Sequence, residues 1–67
     1  MASDAKSFGE NLKSIRESKK MTQRTLARKS GVSAIYISEL ETGKKTNPSL
    51  EVSKKLAAAL KVNLDSL

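Results

Sequence analysis

The side chains of this chain offer charge and hydrogen bonding rather than covalent chemistry. It contains no Cys and no His. That removes disulfides, thiolate ligands, the commonest general base and the commonest transition-metal ligand. No Ser stands in a motif with a His or Lys that would activate it, and no pair of acids has metal-binding spacing. No catalytic residue, metal or cofactor is therefore expected. What remains is basic. Across residues 13–29 stand Lys13, Arg16, Lys19, Lys20, Arg24, Arg28 and Lys29 against one acid, Glu17, and the whole chain carries a net charge of +6. Such a surface attracts nucleic acid or anionic membrane, unless it serves only solubility. The longest apolar run, residues 56–60, is far too short for a membrane span. The polar residues 1–7 do not read as a signal peptide. A cytoplasmic location fits this pattern, and a nucleoid-associated one would follow only if the basic surface binds DNA.

The elements that must position these groups are helices. At 67 residues the chain forms one domain at most. Phe8 and Tyr36 are its aromatics, so the core must be aliphatic. Strand alternation is absent. Phe8, Leu12 and Ile15 make a helical stripe from about residue 7 to 19, with Gly9 tolerated near the helix start. Thr22 caps a second helix whose inward residues are Leu26 and Ala27 and which stops before Gly31. Ser33 caps a third helix running to Thr42, with Gly43 as its stop. Ile37 and Leu40 share one face of it, and Ile35, Ser38, Glu39 and Thr42 share the other. After a polar loop at residues 44–47, Pro48 and Ser49 open a fourth helix with Leu50, Leu56, Ala57 and Leu60 as its stripe. Asn63 caps a last short turn, and Leu64 and Leu67 pack back. The expectation is an all-α fold of five short helices at residues 8–67, preceded by a flexible arm at residues 1–7.

Residues 23–42 read as helix, three-residue turn, helix. Ala27 is small where the next helix crosses close. Gly31 permits the turn. Ile37 locks the second helix of the unit onto the first. That geometry leaves the outer face of the second helix free to enter a major groove.

At this point the chain resembles a known family. The matching residues are Gly9, Leu12, Ile15, Arg16, Met21-Thr22-Gln23, Leu26-Ala27, Gly31-Val32-Ser33, Tyr36-Ile37-Ser38, Leu40-Glu41-Thr42-Gly43, Asn47-Pro48-Ser49-Leu50 and Leu56-Ala57-Ala58-Ala59-Leu60. They run in order over almost the whole chain, as in the Cro/repressor-type (XRE-type, lambda-repressor-like) helix-turn-helix domains. Two departures stand out. Lys20 occupies the place of a usual Gly, and Ser53 that of a larger apolar residue. The face of the third helix also lacks the Gln or Arg side chains that make bidentate base contacts.

The resemblance implies a compact lambda-repressor-like domain that binds double-stranded DNA. The regulator would be a repressor acting as a homodimer on a palindromic operator. It places Ala34, Ile35, Ser38 and Glu39 against base edges. It places Thr22, Gln23, Ser33, Tyr36, Lys44, Lys45, Thr46 and Asn47 along the phosphates, and makes Arg16 and Glu41 a buried structural ion pair. By residue chemistry, Ile35 suits a thymine methyl and Glu39 can accept from cytosine N4. Two rival readings use the same fold: a protein-interaction or antitoxin-type module of a larger regulator, and a binder acting through charge alone.

Overall fold

The computed structural model describes residues 8–67, so the arm expected at residues 1–7 lies outside the described residues. Four α-helices follow one another: α1 (Phe8–Ser18), α2 (Gln23–Ser30), α3 (Ala34–Thr42) and α4 (Leu50–Leu60). The fifth helix expected from the sequence is a single 3-10 turn, Leu64–Ser66. No strand occurs among the described residues.

Local capping chemistry sets the helix starts. The hydroxyl oxygens of Thr22, Ser33 and Ser49 accept from the backbone N–H of Thr25, Tyr36 and Val52 at 3.0, 3.0 and 3.1 Å. Each satisfies one donor that a helix N-terminus leaves without an internal partner. Pro48 therefore lies just outside α4, before its cap. The stops are left-handed residues. Gly31 (φ 78°) and Gly43 (φ 87°) close α2 and α3. Lys20 (φ 57°) and Lys61 (φ 59°) do the same work after α1 and α4. Met21 N–H donates to the Arg16 carbonyl and Lys20 N–H to the Glu17 carbonyl. The same pattern recurs from Val62 to Ala57 and from Lys61 to Ala58. Both ends are Schellman closures with Lys in the position that glycine usually fills.

The core is the aliphatic cluster Leu12, Leu26, Val32, Ile37, Leu40, Leu56 and Leu60, with Phe8, Ile15, Met21 and Tyr36 packed on its margin. Helix α1 packs on α3, and α2 packs on both α3 and α4. The stripe expected on α4 is corrected at its start: Leu50 is 61% exposed. Six residues before Leu56 is no multiple of the helical repeat, so Leu50 falls about 120° round the helix from Leu56. Ser53, nearer the buried side, is half-buried.

Gly9 has a larger part than a tolerated residue at a helix start. A Cβ built there would overlap the Leu40 carbonyl oxygen and lie 2.7 Å from its carbon and 3.1 Å from the Glu41 Cα. The backbone of α1 rests directly on the backbone of α3, which no larger residue would allow.

Candidate nucleic-acid interface

Helix α3 buries one face in the core and leaves the other toward solvent. Ile37 and Leu40 are buried, and Glu41 turns its carboxylate into the interior at 3% exposure. On the other side Ile35 is 74% exposed, while Ala34, Ser38 and Glu39 are half-buried at the rim of the same helix. A β-branched apolar side chain left in water beside a fully buried neighbour two residues on is the main anomaly of the surface.

Charge and donors stand at both ends of that helix and at the start of α2. Thr22 and Ser33, both exposed, cap the N-termini of α2 and α3. Such termini direct unpaired N–H groups and the positive end of the helix dipole outward. Lys44, Lys45, Thr46 and Asn47 are all exposed in the loop after α3. The loop is held against the helix it leaves. Lys45 N–H donates to the Glu39 carbonyl at 3.1 Å, and Lys44 Nζ lies 3.9 Å from Glu39 Oε2. Tyr36 is half-buried and lies against the core margin.

Inside, one polar network fixes the orientation of these parts. Arg16 Nε and one terminal nitrogen donate to the two oxygens of Glu41 at 2.7 and 3.0 Å, a two-pronged pair between α1 and α3. Its other terminal nitrogen donates to the Met21 carbonyl at 2.6 Å, at the corner between α1 and α2. Gln23 Nε2 donates to Glu41 Oε1 at 3.0 Å, bringing in the first residue of α2. Hydrogen bonding to Glu41 raises the Arg16 pKa above its ordinary value against the opposing effect of burial, and the charges of Glu41 and Glu17 add to it. No buried side-chain polar atom lacks a partner among the described residues.

The structure thus brings Arg16 and Glu41 together and adds two members that sequence reasoning missed. One is the Met21 carbonyl, for which a sequence gives no signal. The other is the link from Gln23 to Glu41, whose only trace is a polar residue at the start of a helix that must meet another. Among the described residues no helix is long and apolar enough to cross a membrane, and no group of three or more acids could hold a metal.

Comparison with known proteins adds an independent line. A helix-turn-helix family model matches residues 12–67. The chain is 49% identical over 61 residues to the HTH-type transcriptional repressor RghR of Bacillus subtilis, covering 91% of this chain and 45% of that protein. It is 36% identical over 60 residues to the HTH-type transcriptional regulator SinR of Bacillus subtilis, covering 90% of this chain and 54% of SinR. The chain therefore spans about half the length of the curated relatives it matches. Among solved structures, the restriction-modification controller protein C.AhdI of Aeromonas hydrophila superposes with a TM-score of 0.84 at 37% identity, covering 88% of both chains. The N-terminal DNA binding domain of SinR superposes with a TM-score of 0.82 at 34% identity, covering 87% of this chain and 84% of that one.

Proposed function

The chain belongs to the helix-turn-helix family, of the Cro/repressor (XRE) type, and from that premise we propose that it is the part of a transcriptional regulator that binds duplex DNA. Helix α3 enters the major groove. Ala34, Ile35, Ser38 and Glu39 face base edges. Thr22, Gln23, Ser33, Tyr36 and residues 44–47 lie along the phosphates on either side. Phosphate contacts supply most of the affinity, and the face of α3 supplies the selection. The regulator is a repressor that works in the cytoplasm at the nucleoid. It binds as a homodimer, with two copies of α3 placed on half-sites about one helical turn apart in a palindromic operator.

The observation that carries this reading is the outer face of α3. It carries the exposed Ile35, starts at the capped N-terminus of α3 and ends at a basic loop tied to Glu39. A titration of isotope-labelled protein with a random-sequence duplex at low salt tests it. Backbone amides of Thr22, Gln23, residues 33–39 and residues 44–47 shift together, while those of Lys54, Lys55 and Lys61 stay in place. Shifts spread over every basic residue would favour binding through charge alone. Their absence would favour the protein-interaction module.

A further inference from the structure

We propose that α3 reads two specific groups in each half-site: Ile35 lies against a thymine C5-methyl, and Glu39 accepts from a cytosine N4 amino group about two base pairs away. The inference rests on the DNA-binding reading above and specifies the sequence class it selects.

Ile35 is 74% exposed although Ile37 is fully buried. An aliphatic side chain in the first turn of a groove-facing helix gains from desolvation only where the groove offers an apolar surface. The thymine methyl is the apolar group on the major-groove edges of the four bases. Ala34 beside it is too small to keep the helix from approaching. Glu39 has the opposite chemistry: its carboxylate only accepts. Guanine presents two acceptors, O6 and N7, and would repel it. The adenine amino group has an acceptor on each side, its own N7 and O4 of the paired thymine. Cytosine N4 has an acceptor on one side only, so it is the favourable donor. The carboxylate must also tolerate the phosphates. Lys44 Nζ, 3.9 Å from Glu39 Oε2, reduces that repulsion. Ser38 both donates and accepts, so it selects little.

The spacing follows from helix geometry. Ile35 and Glu39 are four residues apart on one face. At about 1.5 Å of rise per residue that is about 6 Å, close to two base-pair steps of about 3.4 Å. The half-site therefore carries a thymine and a cytosine about two positions apart, with no purine selected by a two-pronged contact from α3.

The test starts by selecting the tightest duplexes from a random library with the 67-residue chain. Each thymine of the selected sequence is then replaced singly by deoxyuridine, which removes only the methyl, and affinities are read by fluorescence anisotropy competition. One position per half-site weakens binding about four-fold, the worth of one buried methyl group. Ile35→Ala binds the thymine and deoxyuridine duplexes equally. Glu39→Gln, which can also donate, loses the preference for cytosine at its position. Ile35 is exposed and Glu39 lies at the rim of α3 outside the core, so circular dichroism shows both variants folded. A consensus indifferent to every methyl, or an Ile35→Ala variant that keeps the methyl sensitivity, overturns the inference while leaving the DNA-binding reading intact. Failure to select any sequence overturns the sequence-specific reading itself, and this inference with it.

Discussion

Gly9→Ala probes the closest contact in the fold. In an ordinary helix this change is favourable, by about 1 kcal/mol, because Ala surrenders less backbone freedom than Gly. Here the added methyl overlaps the Leu40 carbonyl oxygen and lies 2.7 Å from its carbon, where ordinary contact begins at 3.4 Å. The obstacle is backbone within α3, so no side-chain rotation relieves it. Helix α1 must recede, and every contact between the two helices loosens with it, including Leu12 against the core and the 2.7 Å bond from Arg16 to Glu41. A gap of about 0.5–1 Å forfeits a quarter to a half of each dispersion contact. Overpacking of this kind costs about 1–3 kcal/mol and more against an unyielding neighbour. The obstacle is backbone, so the upper end of that range applies, and after the propensity gain the net loss is about 2 kcal/mol. With a urea dependence of about 1 kcal/mol per molar for a domain of this size, the midpoint falls by about 2 M. Urea unfolding followed by helical circular dichroism measures this. Gly31→Ala is the control, because nothing lies within 4 Å of its Cβ position and its φ of +78° is its only demand. It should lose about 1–2 kcal/mol from handedness alone. A Gly9→Ala variant as stable as the parent, or more so, would refute the direct contact between α1 and the Leu40 carbonyl.

Other perturbations have expected outcomes of their own. Lys20→Gly removes a left-handed strain of about 1–2 kcal/mol and gives back part through the freer unfolded chain, leaving a net gain of about 0.5–1 kcal/mol in thermal melts; a loss of stability would contradict the Schellman closure at φ 57°. Glu41→Ala strands the Arg16 guanidinium in the interior and costs on the order of 3–5 kcal/mol, while the double change Arg16→Met with Glu41→Leu costs less, as calorimetry should show. The network is misread if the single change is neutral. Replacing Lys44 and Lys45 by Ala lowers DNA affinity evenly across sequences and flattens the plot of log affinity against log salt by up to about 2 units; an unaltered slope would remove the loop from the phosphate path.

The parts of this fold that are legible in the sequence are those with local causes. Thr22, Ser33 and Ser49 announce helix starts because their hydroxyls serve a backbone N–H three residues on. Gly31 and Gly43 announce stops because a left-handed residue is needed within the same turn. The outward position of Ile35 follows from its angle to Ile37 on the same helix. The illegible parts have distant or non-residue causes. Gly9 answers to a carbonyl on another helix, and Gln23 to a carboxylate that α3 brings to it. Lys61 in a left-handed turn is invisible, since nothing in a Lys side chain advertises that conformation. Lys20 stands out only through the glycine that similar domains carry there. Leu50 has the residue type of the apolar stripe, but its angle to Leu56 puts it in solvent.

The network around Arg16 explains why these particular side chains of α3 face outward. Aliphatic packing is non-directional, so it sets how close α3 lies to the core better than how α3 is rotated about its axis. On a nine-residue helix a full half-turn that buried Ile35 would expose both Ile37 and Leu40, so packing already opposes it, but smaller rotations about the axis change the apolar area little. Hydrogen bonds remove that freedom. Glu41 must accept from both prongs of Arg16 and from Gln23. Arg16 must also reach the Met21 carbonyl, which fixes the corner leading into α2. Any other rotation leaves a buried charge without its partners, a penalty larger than the apolar difference between the rotations. A buried ion pair stabilises a domain little more than well-packed apolar residues would, and often less. Its value in this fold is rotational: it holds Ile35 in solvent and orients the start of α2 relative to α3, the two relationships on which the proposed recognition by this face would depend.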